Sequence, residues 1–347
     1  MDLLPENRPK VEAHLRAQGW LAPEEPLLSL APAGDGNMNR TLRAETPVRT
    51  FILKQAVPFV ARYPDIAAPA SRLEVESAFY ASVSSCPALA MRTPRILGED
   101  RSNHLLCMTD LGPGPDLSSL YRDESKSTVR TGSNGAQLTA VVYWLWKLHA
   151  HGIGIGIGIG GSTQAATTSV PENREMRELN HAHIFGIPLQ VNNGVELSSA
   201  LQQIQRAYAK DSELKERARA LGALYLGEAD HASATTLLHG NYYPGSWLKH
   251  ESMGVMIIDP EFAFPGPPEF DVGVLMAHLT MAGLAQAEVM MLMRSYVTPP
   301  GFSYPLALAF AGIEIIRRLL GAAQLPLKAD EDTKSRWLQT ARSMVTA

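Results

Sequence analysis

Three short stretches gather the residue types that do chemistry on charged oxygen. The first is LLHGNYYPGSWL at 237–248, followed by VMIIDPEFAF at 255–264. An apolar strand, a tight His–Gly loop, Ser246 five positions beyond Asn241, and a second strand ending at Asp259 make a two-part site for a hard cation and phosphate. Asp259 supplies a carboxylate and Ser246 a neutral oxygen, both ligand types that magnesium takes. Glu261 lies two residues beyond Asp259 and shares its face in extended chain. A loop-capping role for these carboxylates leaves the His–Gly loop and the spacing unexplained. The second stretch is FILKQA, in which Lys54 ends an apolar strand. Such a lysine sits at the edge of a buried cleft and needs a carboxylate or phosphate partner. Glu76 on the following helix is the first candidate and Glu74 the second. Taken alone, the residue is equally a solvent-facing strand lysine. The third is GDGNMN at 34–39, between two strand-like runs. Its glycines let the backbone approach a polyphosphate, and a turn of exposed N–H groups forms an anion-binding concavity. Taken alone, it is also an ordinary hairpin turn.

These residues need a frame. LLSLAP, RTLRAE and RTFILKQA within 27–56 are short, partly alternating runs that predict antiparallel strands. SRLEVESAFYASV at 71–83 has helical spacing, and TPRILGED and HLLCMTDL within 93–111 predict two strands joined by a turn at Glu99–Asn103. The result is a compact first lobe of mixed structure over 1–110. GPGPD at 112–116 is a turn-rich linker. Beyond it, residues 5–18 aside, lie the predicted long helices: 136–152, ended by Gly152; 195–230; and 270 onward, with breaks at Pro299–Gly301 and Pro326. TLLHG and VMIIDP are short buried strands among them. The Gly-Ile repeat at 153–161 lacks the basic and hydroxyl residues of a phosphate loop and carries no chemistry. Residues 111–347 thus form a larger, mainly helical lobe.

Composition excludes several alternatives. With 347 residues, 45% of them hydrophobic and 19% charged, the chain buries a sizeable core. Thirty-one basic against 35 acidic residues leave a net charge of −4, which argues against a nucleic-acid or membrane-surface footprint. Two cysteines, Cys86 and Cys107, build neither a disulfide framework nor a four-cysteine zinc site. The N-terminus lacks the pattern of a secretory signal, and the longest apolar run, near 274–293, is broken by His278, Thr280, Gln286 and Glu288. The expectation is a cytoplasmic protein with a small-molecule partner, with no nucleic acid or membrane, and with room for a homodimer.

The order of these features resembles the aminoglycoside phosphotransferase and choline kinase group of small-molecule kinases. Within that group the pattern is similar to methylthioribose kinase, with GDGNMN, LKQAVP, HGNYYPGS and DPEFAFPGPPEFD matching its loop, lysine strand, catalytic loop and metal strand. NREMREL at 173–179 and IIRRLLG at 315–321 also resemble segments of that family, so the similarity spans roughly 30–325. It implies an α+β, two-lobed protein-kinase-like fold with a small antiparallel-sheet N-lobe and a larger helical C-lobe, and ATP and Mg²⁺ as cofactors. By the same resemblance, Gly34, Gly36, Asn37 and Asn39 belong to the loop over the ATP phosphates. Lys54 holds the α- and β-phosphates and pairs with Glu76. Met108 to Asp110 form the hinge that meets adenine. Ser246 and Asp259 hold Mg²⁺, and Glu261 lines the metal or sugar site. Arg317 and Arg318 reach the substrate end. Adjacent helix positions point about 100° apart, so one of the two is expected to face the cleft. The alternative for this pair is a helix surface.

The chain departs from the family at one decisive position. The family's catalytic loop carries Asp where this chain has Asn241. That Asp accepts the proton of the substrate hydroxyl, which an amide cannot do. Three accounts fit: a deliberately inactivated variant, a natural pseudokinase that acts through a partner, or a replacement base, for which Glu261 is nearest in sequence.

Overall fold

The computed structural model describes residues 1–34, 36–122, 133–154 and 170–347. Asp35 and most of the Gly-Ile repeat lie outside the described residues. The chain divides into two compact units. One holds Met1–Pro115, Leu248–Ala263 and a short stretch ending at Met176; the other holds Arg177–Trp247, Phe264–Ala347 and a stretch beginning at Asp116.

The first unit is organised by a five-stranded antiparallel sheet in the order β1 (Ser29–Pro32), β2 (Arg40–Glu45), β3 (Thr50–Gln55), β7 (Leu105–Thr109), β6 (Ile96–Asp100). Side chains alternate across a strand, and this decides which residues do chemistry. Leu42, Ala44, Phe51, Leu53, Leu105 and Cys107 project to one face, where they join Val11 and Leu15 of helix α1 (Arg8–Ala17) in a buried core. Lys54, one position out of phase with Leu53, projects to the opposite face. A small hairpin of β4 (Phe59–Val60) and β5 (Tyr63–Ala67) follows β3 and was not expected from the sequence. Two prolines, Pro58 and Pro64, and the polar Asp65 hide its alternation. Helix α2 (Arg72–Ser84) comes next, close to its predicted span, with Arg72, Glu76 and Phe79 buried. The pair β9 (Trp247–His250) and β10 (Gly254–Ile257) precedes Asp259.

The second unit is mainly helical. Its antiparallel pair of β8 (Thr236–Leu238) and β11 (Phe264–Gly266) is buried at almost every position. The long helix α4 (Ser133–Gly154) ends against β8, where a Cβ on Gly152 would meet the Leu237 backbone nitrogen at 2.4 Å. Helix α8 (Pro268–Met281) is buried on all sides and packs on α10 (Tyr304–Leu320). Only glycine fits their crossing, because a Cβ on Gly273 would lie 2.6 Å from the Ala307 carbonyl. The predicted helical stretch at 195–230 is two helices, Ser199–Tyr208 and Ser212–Leu226, the second capped by the Asp211 carboxylate. Among the described residues no helix is long and apolar enough to cross a membrane.

Candidate active site

In the first unit Lys54 joins two carboxylates from distant parts of the chain. Its Nζ lies 2.7 Å from one oxygen of Glu76 and 2.6 Å from Oδ1 of Asp259. Burial pulls the lysine's pKa down, but Asp259, Glu76 and Glu261 outweigh it and hold the ammonium above its ordinary range. The opposite balance holds at Glu76, where burial pushes the carboxyl up to about 7 against the pull of Lys54. Asp259 is the open member. Its side chain is 43% exposed and only Oδ1 is engaged. Its backbone sits in the left-handed region at φ 61°, a conformation seldom kept without reason outside glycine. The Tyr80 hydroxyl bonds that backbone.

A second layer fixes the flanks. Arg72 is fully buried and donates to Asn39 Oδ1 at 2.9 Å and to the carbonyls of Met38, Val57 and Pro69 at 2.7–2.9 Å. Asn39 Nδ2 in turn donates to Glu261 Oε2 at 2.6 Å. Glu261 is therefore tied to the glycine loop's exit, and burial raises its pKa despite Lys54. Asn173 donates to the carbonyls of Glu261 and Ala263 at 2.9 and 3.0 Å, holding the segment after Asp259. Gly34 takes φ 80°, in the left-handed region that glycine enters without steric cost. At the end of β7, Asp110 forms a fork with Arg43 at 2.7 and 3.0 Å. Met108 is buried within the strand itself.

In the second unit the loop 239–246 is held by one carboxylate. Asp271 at the start of α8 accepts from the backbone N–H of His239 at 2.7 Å and of Gly240 at 3.0 Å. Gly240 has φ 80°, so the turn needs glycine. His149 Nε2 lies 3.4 Å from Asp271, and its Nδ1 meets the Tyr296 hydroxyl at 2.6 Å. Ser246 Oγ donates to the Asn241 carbonyl at 3.1 Å, which closes the loop on itself.

The Asn241 side chain meets a buried ionic cluster. Arg318 Nη2 donates to Asn241 Oδ1 at 3.3 Å, and the guanidinium lies 4.8 Å from the centre of the Tyr243 ring. Arg318 Nε also reaches Glu314 at 2.6 Å, and Arg317 reaches the same carboxylate at 3.1 Å and Asn180 at 2.9 Å. Both arginines are buried, which excludes the helix-surface alternative. Only Arg318 turns toward the loop. His278 completes the cluster. Glu314 only accepts, so Nε2–H of His278 donates to it at 3.1 Å and Nδ1 accepts from the Tyr121 hydroxyl at 2.6 Å. Burial pulls the His278 pKa down to about 4, opposed by Glu314 and reinforced by Arg318. At Glu314, burial pushes upward, but the two arginines hold the carboxyl well below its ordinary range. Arg318 also lines a cavity of about 170 Å³ bordered by Glu196, Ser198, Gln324 and Lys334.

The structure therefore brings together Lys54, Glu76 and Asp259, with Asn39 and Glu261 linked beside them; Asn241, Ser246 and Arg318 meet in the other unit. Sequence reasoning missed Arg72, Asp271 and Glu314. Two of these carried a legible signal. Arg72 precedes Glu76 by four positions, and Glu314 precedes Arg317 and Arg318 by three and four, the spacings that put side chains on one helix face. Nothing in the sequence pattern alone distinguishes Asp271 from a helix-capping acid.

Comparison with known proteins gives this constellation its context. Residues 29–302, well over half the chain, match the model of a phosphotransferase enzyme family. The chain belongs to that family. Among curated relatives in the family, methylthioribose kinase of Exiguobacterium sibiricum is 25% identical over 253 residues, covering 72% of this chain and 60% of that enzyme. This match spans less than two thirds of the relative's length. Methylthioribose kinase of Geobacillus sp. strain WCH70 is 24% identical over 384 residues, covering 98% of this chain and 91% of that one. The fold is that of choline kinase LicA from Streptococcus pneumoniae, with a TM-score of 0.53 at 11% identity and coverage of 98% and 99% of the two chains. The phosphotransferase chain is thus an α+β, two-lobed, kinase-like protein.

Proposed function

We propose that the chain is an ATP-dependent phosphotransferase that acts on a hydroxyl of a small, sugar-like molecule, in the manner of methylthioribose kinase, with Asn241 at the position of the family's base. The observation that carries this reading is Lys54 bridging Glu76 and Asp259. A buried ammonium between two carboxylates, one of them half-open, is a holder for polyphosphate. Gly34, Gly36 and Asn37 cover the phosphates in this reading, Lys54 engages the α- and β-phosphates, and Glu76 keeps Lys54 aimed.

The donors also fit magnesium. Asp259 offers a hard oxygen, its second carboxylate oxygen has no partner among the described residues, and its strained backbone is bonded by the Tyr80 hydroxyl. Mg²⁺ takes one or two carboxylates and completes its shell with phosphate oxygens and water. Asp259 would hold it. Magnesium, when bound, neutralises charge on the phosphate oxygens. Glu261, tied to Asn39 and Arg72, acts by holding the loop rather than by ligating. Arg318 steadies Asn241, and the cavity beside it receives the body of the acceptor.

Replacing Asp259 by Ala tests the reading. Calorimetry should show Mg·ATP binding to the parent chain and at least a tenfold loss in the variant, with the loss confined to magnesium-containing buffer. No binding at millimolar ATP in the parent would remove the basis of the proposal. A second reading, a nucleotide-binding pseudokinase that acts through a partner, is favoured by one observation: the oxygen of Asn241 is engaged by a guanidinium and has no proton-accepting charge.

A further inference from the structure

Asn241 is more than a base with its charge removed. A guanidinium has only donors, so Arg318 Nη2 at 3.3 Å fixes the orientation of the Asn241 amide: Oδ1 faces Arg318 and the NH₂ group faces away. Arg318 is itself immobilised, by Glu314 at 2.6 Å through Nε and by the Ala323 carbonyl at 3.3 Å through Nη1. The amide cannot turn over without setting its own NH₂ against a cation. Among the described residues nothing accepts a hydrogen bond from Asn241 Nδ2, and the residue is partly exposed. At the position where a phosphotransferase presents an acceptor for the substrate's hydroxyl proton, this chain presents a donor next to a fixed positive charge.

We propose that the ligand atom meeting Asn241 is an anionic oxygen, so that the chain holds the phosphorylated form of a small hydroxylated molecule more tightly than the unphosphorylated form. This rests on the phosphotransferase reading above and deepens it. A free hydroxyl arriving at Asn241 finds an N–H where it needs an acceptor, and its own proton is left without a partner. A phosphate ester oxygen finds a donor, with Arg318 behind it supplying charge. A hydrogen bond to a charged group contributes enough to shift affinity by about tenfold to a hundredfold. The inference makes the loop a reader of the transfer product, and it concerns binding alone: no bond is made or broken.

The test is calorimetry on the full chain saturated with Mg·ADP, titrated with D-ribose 1-phosphate, D-ribose and inorganic phosphate. The parent should bind ribose 1-phosphate at least tenfold more tightly than ribose. Asn241→Asp puts a carboxylate against the phosphate and should abolish or reverse that preference. Asn241→Leu, similar in size and without a donor, should abolish it too, and it keeps the test valid if the Asp form is misfolded. Equal or better binding of ribose by the parent, with Mg·ADP still bound, overturns this inference alone. An unchanged preference in both variants does the same. Inorganic phosphate binding as tightly as ribose 1-phosphate assigns the site to the free anion and overturns the phosphorylated-sugar form. Failure of the chain to bind nucleotide at all overturns the reading beneath it, and this inference with it.

Discussion

Asn241 shows how much a single side chain depends on its neighbours. Its loop is held in place: Asp271 accepts from the two amides that precede it, those of His239 and Gly240, and Ser246 closes the turn. On the proposed reading, Asn241 in place of an Asp removes a charge and a proton acceptor without disturbing the scaffold. Restoring it by Asn241→Asp should raise single-turnover phosphoryl transfer by about 10²–10⁴, with nucleotide affinity nearly unchanged, because a base acts in the transition state. Arg318 would keep the new carboxylate ionised through the neutral range, so the gain should be flat between pH 6 and 8. Rapid-quench measurement on both forms with one acceptor decides it, and equal rates would mean that this position carries no base. At this scale the sequence was informative about residues whose role is set by type and order. Lys54, Glu76 and Asp259 were each legible, and the structure joins them. Arg72 carried only its four-residue spacing from Glu76; its burial was not legible, because an arginine opening a helix ordinarily reaches solvent. Here its stem is swallowed and every donor is turned back onto backbone carbonyls and Asn39.

Elements were legible where one period dominates. The strands β1, β2 and β3 and the helix α2 fall within a residue or two of their expected spans, since alternation and helical spacing both mark a single buried face. The β4–β5 hairpin was hidden by its prolines, and the helical stretch 195–230 concealed a break at Asp211 that looks like any polar helix position until it caps the next helix. Helix α10 shows what a period cannot reveal. Its positions 314, 317 and 318 share one side, and the buried carboxylate is neutralised by two guanidinium groups at 3.1 and 2.6 Å. Removing one member of a buried ion cluster leaves the others uncompensated, which costs about 3–5 kcal/mol. Glu314→Gln should lower the unfolding free energy obtained from urea titration by an amount in that range, and the midpoint with it. It should also loosen Arg318, so the transfer rate of the Asn241→Asp form should fall along with stability. A midpoint unchanged within error would show that the arginines find other partners.

The response of the whole molecule to acid follows from how buried acids and histidines are distributed. In the first unit burial raises Glu76 to about 7 from 4.5 and raises Glu261 as well. A raised pKa gives stability that is full below the unfolded value and is lost as pH climbs through the folded one. In the second unit burial lowers His278 from 6.5 to about 4, and His183 shifts in the same direction. A lowered pKa gives stability that is full above 6.5 and is lost as pH falls through about 4. Each shift of this size corresponds to roughly 3 kcal/mol at its limit. The two contributions therefore run in opposite directions across the interval from about 4.5 to 6.5, and global unfolding of the intact chain should depend only weakly on pH there. The opposition disappears when the units are followed separately. Hydrogen exchange resolved by segment, corrected for intrinsic rates, should show protection in α8 and α10 falling as pH drops from 7 to 4.5, while protection in β3 and α2 holds or rises. Single variants should separate the two contributions: Glu76→Gln leaves the histidines unopposed and should make the chain acid-labile, and His278→Gln should cost progressively less stability as pH falls toward 4. Parallel loss of protection in both units on acidification would mean that one cooperative transition governs the chain and that the opposing groups do not act on separate units.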